Sequence, residues 1–366
     1  MDARARRCQS ECGRLNTGYA VSSRVVTISI SSHNYGRFLG DAIDSALKQD
    51  YEQVQVIVVD DGSTDDSVEI ARAYGDRILL VAQENAGQGS VFNVTMDHAL
   101  GDIIMFLDAD DVLQPGIVSR VVEIFDAEPD VVKVQFRLAV LNAQGEPTGA
   151  VKPPRDGLLG NGDLRLRVMR TRNYAWTPTS ANAFSAVTLK TILPMPAEKY
   201  VTGADAYLAE IIPIFGVVRS IADIGVGYRI HGENVSISNG GAVTARWARR
   251  RLESIGYCRS QVLRFAPIAG LDPRDCTSLE DLYDPAAITA RLVSLRLDPE
   301  RHPIKGDKAL RLAWMGVRSL RTLDEVPFKS RAKRAAWFIA VGCAPQAVAE
   351  RVMAAWTPDG PAHLAK

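Results

Sequence analysis

The stretch Ile103–Asp111, IIMFLDADD, decides how the rest of the chain is read. Ile103 to Leu107 are apolar throughout and rich in branched or aromatic side chains, the mark of a strand buried on both faces. The run ends in three carboxylates, Asp108, Asp110 and Asp111, with Ala109 after the first. Strand alternation predicts Asp108 and Asp110 on the same side. Two like charges at the end of a buried strand repel and resist desolvation, so one tends to hold its proton. A divalent cation removes that conflict, and an all-oxygen ligand set favours Mg²⁺ or Mn²⁺ over zinc. Taken alone, the stretch is read equally well as a solvated acidic turn after an edge strand; its neighbours tip the balance.

Upstream, strands and helices alternate. Val25–Ser31 predicts a strand that ends in the polar turn Ser32-His33-Asn34-Tyr35-Gly36. Leu39, Ala42, Ile43, Ala46 and Leu47 then recur at the spacing of one buried helical face. Val54–Val59 predicts the next strand, running into Asp60-Asp61-Gly62-Ser63-Thr64-Asp65 and a helix over 67–74. Ile78–Val81 predicts a third strand, followed by Asn85-Ala86-Gly87-Gln88-Gly89 and a helix near 90–99. Beyond Asp111, Pro115 is suited to open another helix. This alternation implies an α/β fold with a mainly parallel sheet flanked by helices. Ligands bind outside the carboxyl ends of such strands. The polar groups collect there: Ser32 to Asn34, Asp60 and Asp61, Asn85 to Gln88, and Asp108 to Asp111. Neither G-x-G-x-x-G nor G-x-x-x-x-G-K-[ST] occurs, so carboxylates, amides and a metal replace a glycine-rich phosphate cradle.

Past Ala127 the pattern changes. Val131–Asn142 reads as a long strand or hairpin arm leading to a turn at 143–146. Residues 150–165 read as a loop, Ala181–Ser185 as a return to the sheet, and Gly203–Tyr207 as the entry to a helix through Ile212. Gly227–Asn234, GYRIHGEN, is the last motif of this part.

Laid side by side, DDGSTD at 60–65, the N-A-G run from Asn85 to Asn93 and LDADD at 107–111 resemble the family 2 glycosyltransferases, and YRIHGEN resembles the segment that closes their site. The resemblance covers about Val25 to Asn234. It implies the GT-A fold and an inverting enzyme that moves one sugar from a nucleotide-diphosphate donor, UDP-sugar favoured, to an acceptor hydroxyl. Polysaccharide, glycolipid or other cell-surface glycan synthesis is the implied setting, with a glycan or lipid-linked acceptor. By motif, Asp60 and Asp61 fall at the uracil end beside Ser32 and Asn34, with Asn85 and Gln88 also on the donor. Asp108 faces the ribose or metal, Asp110 holds the metal, and His231 reaches the diphosphate or metal. Asp205 matches the catalytic base, although Ala204 stands where the family usually has Glu. The Q-x-x-R-W motif of processive members is absent. A non-catalytic nucleotide-sugar or glycan-binding protein on the same fold is the alternative. A sugar nucleotidyltransferase would show a glycine-rich basic loop where this chain has SSHNYG.

Of 366 residues, 46% are hydrophobic, and 43 basic residues balance 43 acidic ones. That balance gives no general case for nucleic acid binding. Five scattered cysteines support neither a disulfide framework nor a zinc site, and a reducing cytoplasmic setting follows. Residues 1–24 carry arginines but no apolar core of a signal peptide, and read as a mobile tail. Residues 25–235 then form the catalytic domain and 236–366 a helical extension, with helices over 246–265, 286–297, 308–320 and 330–355. Between Arg301 and Ala340, ten Lys and Arg stand against three Asp and Glu, and Trp314, Trp337, Phe338 and Trp356 are interleaved or follow. Two readings stand: an ordinary packed extension with a solvated basic face, or a peripheral contact with the inner face of the membrane.

Overall fold

Three of the four early strands are buried on both faces, which sets their register with their neighbours, while the strand over 79–83 lies at the sheet edge and is partly exposed. The computed structural model describes residues 24–155, 157–234, 243–322 and 328–355. The expected tail lies almost wholly outside them. β1 (Val26–Ser32), β2 (Val54–Asp61), β3 (Leu79–Gln83) and β4 (Ile103–Asp108) run parallel in the order β3-β2-β1-β4. Ser31 stands opposite Asp108, and Ser32 opposite Asp60. The helices between them are α1 (Gly36–Leu47), α2 (Ser67–Arg72) and α3 (Gln88–His98). α1 buries Leu39, Ala42, Ile43 and Ala46, the face its spacing predicts. The strand order reverses between β1 and β4, so their carboxyl ends flank the crevice where such sheets take ligands.

The second half departs more from expectation. β5 (Val112–Leu113) precedes α4 (Ile117–Ala127), which starts after Pro115 because Gly116 takes a left-handed φ of 81°. β6 (Val131–Leu141) and β7 (Pro147–Lys152) form the hairpin. β8 (Gly162–Asp163), α5 (Arg165–Thr171), β9 (Asn182–Ser185), α6 (Ala186–Ile192), α7 (Ala204–Ile211) and β10 (Val217–Arg229) follow. The stretch read as a loop over 150–165 thus holds the end of β7, all of β8 and the start of α5. β9 is antiparallel to both β4 and β6, and β6 is parallel to β10, giving a mixed ten-stranded sheet among the described residues. β10 gives little sign of itself in sequence because register shifts between Ser220 and Val226 break its alternation. Gly225 belongs to it for want of room: a Cβ there would lie 2.3 Å from the Phe136 ring.

One core lies on each face of the sheet. Ile28, Ile43, Val58 and Met105 belong to the first; Ile57, Phe92, Phe106, Leu189 and Tyr207 belong to the second. The extension comprises α8 (Ala245–Phe265), α9 (Pro285–Leu297), α10 (Ala309–Ser319), α11 (Phe328–Cys343) and α12 (Gln346–Ala355). The single helix expected over 330–355 is two, divided at Pro345. α8 joins the parts: Cys258, Val262 and Phe265 enter the second core, while Ala248 and Leu252 enter the extension's own core with Leu312, Trp337 and Phe338. Among the described residues no helix is long and apolar enough to cross a membrane.

Candidate functional site

A cavity of about 500 Å³ opens at the carboxyl ends of β1, β2 and β4, between the first turns of α3 and α7. Two consecutive carboxylates end β2 and do different work. Asp60 is buried and spends both oxygens on Ser63, from its N–H (2.9 Å) and its hydroxyl (2.6 Å). Asp61 lines the cavity while accepting from Gln83 Nε2 (2.6 Å), Ala86 N (2.9 Å) and Gly87 N (2.8 Å). It thereby holds the Asn85–Gly87 loop against the end of β2. Asn34, at φ 58°, accepts from Thr64 N at 2.7 Å and ties the first two turns together. Ser32 is buried with an unpartnered hydroxyl, and strand alternation gives the cavity wall to Ser31 instead. His33 lines the wall with Asn85, its Nδ1 2.8 Å from the Asp61 carbonyl oxygen.

The opposite wall is acidic. β4 ends at Asp108, and a turn closed by Asp111 N donating to the Asp108 carbonyl (3.0 Å) follows. Asp110 therefore joins Asp108 at the cavity through a turn, where strand alternation had been expected. Burial first, then the charges of Asp110 and Asp205, push the Asp108 carboxyl well above the usual range. Asp111 turns inward and accepts from Arg229 N at 3.1 Å. Asp110 Oδ2 accepts from Asn234 Nδ2 at 2.9 Å and lies 3.0 Å from His231 Nε2. His231 is buried behind Asp110, its ring against Tyr35 and Phe38 at centroid distances of 5.5 and 4.7 Å. It does not line the cavity itself, but backs the lining residues Asp110, Tyr35 and Asn234. Among the described residues no group of three or more His, Cys, Asp or Glu forms a ready metal cage.

Asp205 comes to the same cavity from the second half of the chain. Gln88 sets it there: its Oε1 accepts from Ala204 N at 2.9 Å, and its Nε2 donates to Thr179 Oγ1 at 3.1 Å. Burial raises the Asp205 carboxyl above its usual range, opposed by the Ala206 N–H and the charges of Lys133 and Arg251. Lys133 is itself fully buried on β6, pushed down to about 7 by desolvation, and donates to Tyr174 OH at 3.1 Å. Asp61, Asn85, Gln88, Asp108, Asp110 and Asp205 therefore share one cavity, whereas Ser32, Asn34, Asp60 and His231 stand behind its walls. Ser31, Tyr35, Thr179, Tyr228 and Asn234 were not singled out from sequence and line it too. Tyr35 and Asn234 lie inside motifs that could have named them; Thr179 has no such signal.

The family model for glycosyl transferase family 2 matches residues 27–154. An uncharacterized glycosyltransferase of Nostoc sp. is 31% identical over 229 residues, covering 61% of this chain and 70% of that protein. The chain belongs to the family 2 glycosyltransferases. An uncharacterized glycosyltransferase of Rickettsia prowazekii is 37% identical over 106 residues, 29% of this glycosyltransferase and 33% of its relative. The chain thus spans about a third of that protein. Among solved structures, residues 1–349 of S. aureus TarS superpose with a TM-score of 0.51 at 15% identity, covering 90% of each chain. TarS has also been solved with UDP-GlcNAc, at a TM-score of 0.50. The fold is GT-A, as the motifs implied.

Proposed function

We propose that this glycosyltransferase moves one sugar from a UDP-sugar to an acceptor hydroxyl, with inversion, in the synthesis of a cell-surface glycan. One observation carries the proposal: a single cavity holds the Asp108–Asp110 pair on one wall and Asp205 on another. Asp61, His33 and Asn85 edge the part of the cavity that takes the base, with the loop clamped by Asp61 forming its floor. The UDP-GlcNAc complex of TarS, a protein of the same fold, supports a uridine donor.

Asp108 and Asp110 fit a divalent cation. Both face the cavity, and desolvation and mutual charge drive Asp108 toward its protonated form, a conflict that a cation resolves. Two carboxylates with substrate phosphates and water suit Mg²⁺ or Mn²⁺. When bound, the ion would neutralise charge on the departing diphosphate. The chain's own groups do the rest. Asp205 takes the proton from the acceptor hydroxyl, His231 and Asn234 fix the rotamer of Asp110, and Gln88 holds the first turn of α7 in place.

A cytoplasmic setting accords with Cys258, Cys276 and Cys343, the cysteines among the described residues, all of them free. Trp337 and Phe338 are used in the extension's core, but Leu310, Trp314 and Phe328 are 67%, 55% and 77% exposed beside Arg311, Arg318 and Lys329. That surface suits a peripheral contact with anionic lipid. Flotation with anionic liposomes tests it, and a chain left at the bottom of the gradient at low salt removes it.

The donor is tested by thermal shift with UDP, GDP, CMP and dTDP, each with and without Mn²⁺. Ligand at about 100 times its dissociation constant stabilises by about 2.7 kcal/mol. A Mn²⁺-dependent shift with UDP alone is expected. A shift with another nucleotide, or with none, overturns the assignment.

A further inference from the structure

Among the described residues two histidine–carboxylate pairs have the same length and differ at the far nitrogen of the ring. In the extension, His302 Nε2 stands 3.0 Å from Asp307 Oδ2, and its Nδ1 is buried without a hydrogen-bond partner. Behind the main cavity, His231 Nε2 stands 3.0 Å from Asp110 Oδ2, and its Nδ1 lies 3.2 Å from Arg37 Nη2. The first pair shows that this fold tolerates such a nitrogen unpaired. The second is given a partner from the first turn of α1, 194 residues away in the chain.

An arginine side chain has N–H donors and no acceptor. His231 Nδ1 therefore meets Arg37 with its lone pair, and the ring hydrogen sits on Nε2, from which it donates to Asp110 Oδ2. Asn234 Nδ2 donates to the same oxygen at 2.9 Å. Both bonds fall on Oδ2, so Oδ1 is the atom of Asp110 left for the cavity. The opposite tautomer would set the Nε2 lone pair against a carboxylate oxygen and an N–H against a guanidinium, and both contacts repel. Tyr35 and Phe38 meet the imidazole through their rings and favour neither form.

Arg37 is poorly placed to serve stability. Its ion pair with Glu233 lies at the surface, with the two side chains 52% and 71% exposed, and such pairs contribute little. Its bond to His231 is different, because that side chain is only 1% exposed. Motif resemblance gave His231 to the metal or the diphosphate. A histidine that ligates through Nε2 carries its hydrogen on Nδ1 and donates it to an acceptor. Arg37 offers none. We propose that Arg37 is a positioning residue that fixes the tautomer of His231, making His231 a donor to Asp110 rather than a ligand of the cation and leaving Asp110 Oδ1 for that cation. This rests on Asp110 holding the cation of the reaction proposed above.

The experiment pairs two readouts. Nitrogen NMR of the histidine rings reads the tautomer, on the metal-free protein at mildly alkaline pH where an ordinary imidazole is neutral, with His231→Gln to assign the signal. The native protein should show the His231 hydrogen on Nε2, and Arg37→Met should move it toward Nδ1. Electron paramagnetic resonance of free Mn²⁺, with saturating UDP, reads the cation. Arg37→Met should weaken its binding about tenfold or more. Glu233→Gln removes the surface ion pair but keeps the bond to His231, so its tautomer and Mn²⁺ affinity should be native. A hydrogen on Nδ1 in the native protein overturns the proposal, as does an unchanged tautomer or native Mn²⁺ affinity in Arg37→Met. An equal loss in Glu233→Gln also overturns it, reducing Arg37 to a surface tie between α1 and Glu233. Should Arg37→Met fail to fold, Arg37→Gln takes its place, since a carboxamide accepts as well as donates and frees the tautomer in the same way. A native protein that binds no Mn²⁺ with UDP would instead count against the metal reading, while the tautomer, read without metal, still reports on Arg37.

Discussion

At the scale of single residues, Asp205 and Lys133 form a pair whose titrations are linked. Asp205→Asn keeps the shape of the cavity but cannot accept a proton. Turnover should fall by about 10²–10⁴-fold while the UDP thermal shift persists; turnover like that of the native enzyme would reject Asp205 as base. Because burial raises the Asp205 carboxyl, the acidic limb of the kcat/KM profile should lie above the ordinary carboxylate range. Lys133 opposes that rise, so Lys133→Met should move the limb to still higher pH. Stability offers a second readout. Lys133 titrates near 7 in the folded chain and near its ordinary value of about 10.5 when unfolded. Between those values the unfolded chain binds more protons, so native stability gains up to about 1.4 kcal/mol per pH unit from this group as pH rises. Below pH 7 its burial cost is fully present. The stability advantage of Lys133→Met should therefore be greatest there and shrink toward pH 10; a constant difference between the two proteins would contradict it.

At the scale of elements, the site depends on how the first turn of α3 docks on the approach to α7. Gln88 N and Gly89 N donate to the carbonyls of Val201 and Tyr200 at 3.0 and 2.8 Å. Gly87 permits that approach, for it sits at φ 86° and a Cβ there would lie 2.4 Å from Val201 Cα. Gly87→Ala should therefore lower stability by more than about 1 kcal/mol, seen as a fall in Tm, and reduce turnover by displacing Gly203 and Asp205. An unchanged Tm would show that the loop moves freely. The same contacts explain what was legible locally. DDGSTD and LDADD announce themselves because a polar run ending a buried strand is a local pattern. Gln88 could be named as polar and near the site, but not as the acceptor for Ala204 N, a partner 116 residues away.

At the scale of the whole molecule, α8 links the two parts by burying one half of its length in each core. Chains of this size often unfold in steps. The sharing of α8 predicts instead a single calorimetric transition, with calorimetric and van't Hoff enthalpies in agreement. Two separated transitions would show that the sheet domain and the extension melt independently.

The parallel half of the fold and the acidic end of the site were determined by the sequence alone, since fully buried strands, one-faced helices and polar strand ends are all written within a few residues of one another. Tertiary structure decided the rest. The bulged β10 has no steady period, β9 could be placed as a strand but not paired with β4 and β6, and Asp60 and Asp61 look alike until their partners are known. Which carboxylate faces the cavity, and where Asp205 meets it, depend on contacts between distant segments, and such contacts leave no mark on local composition.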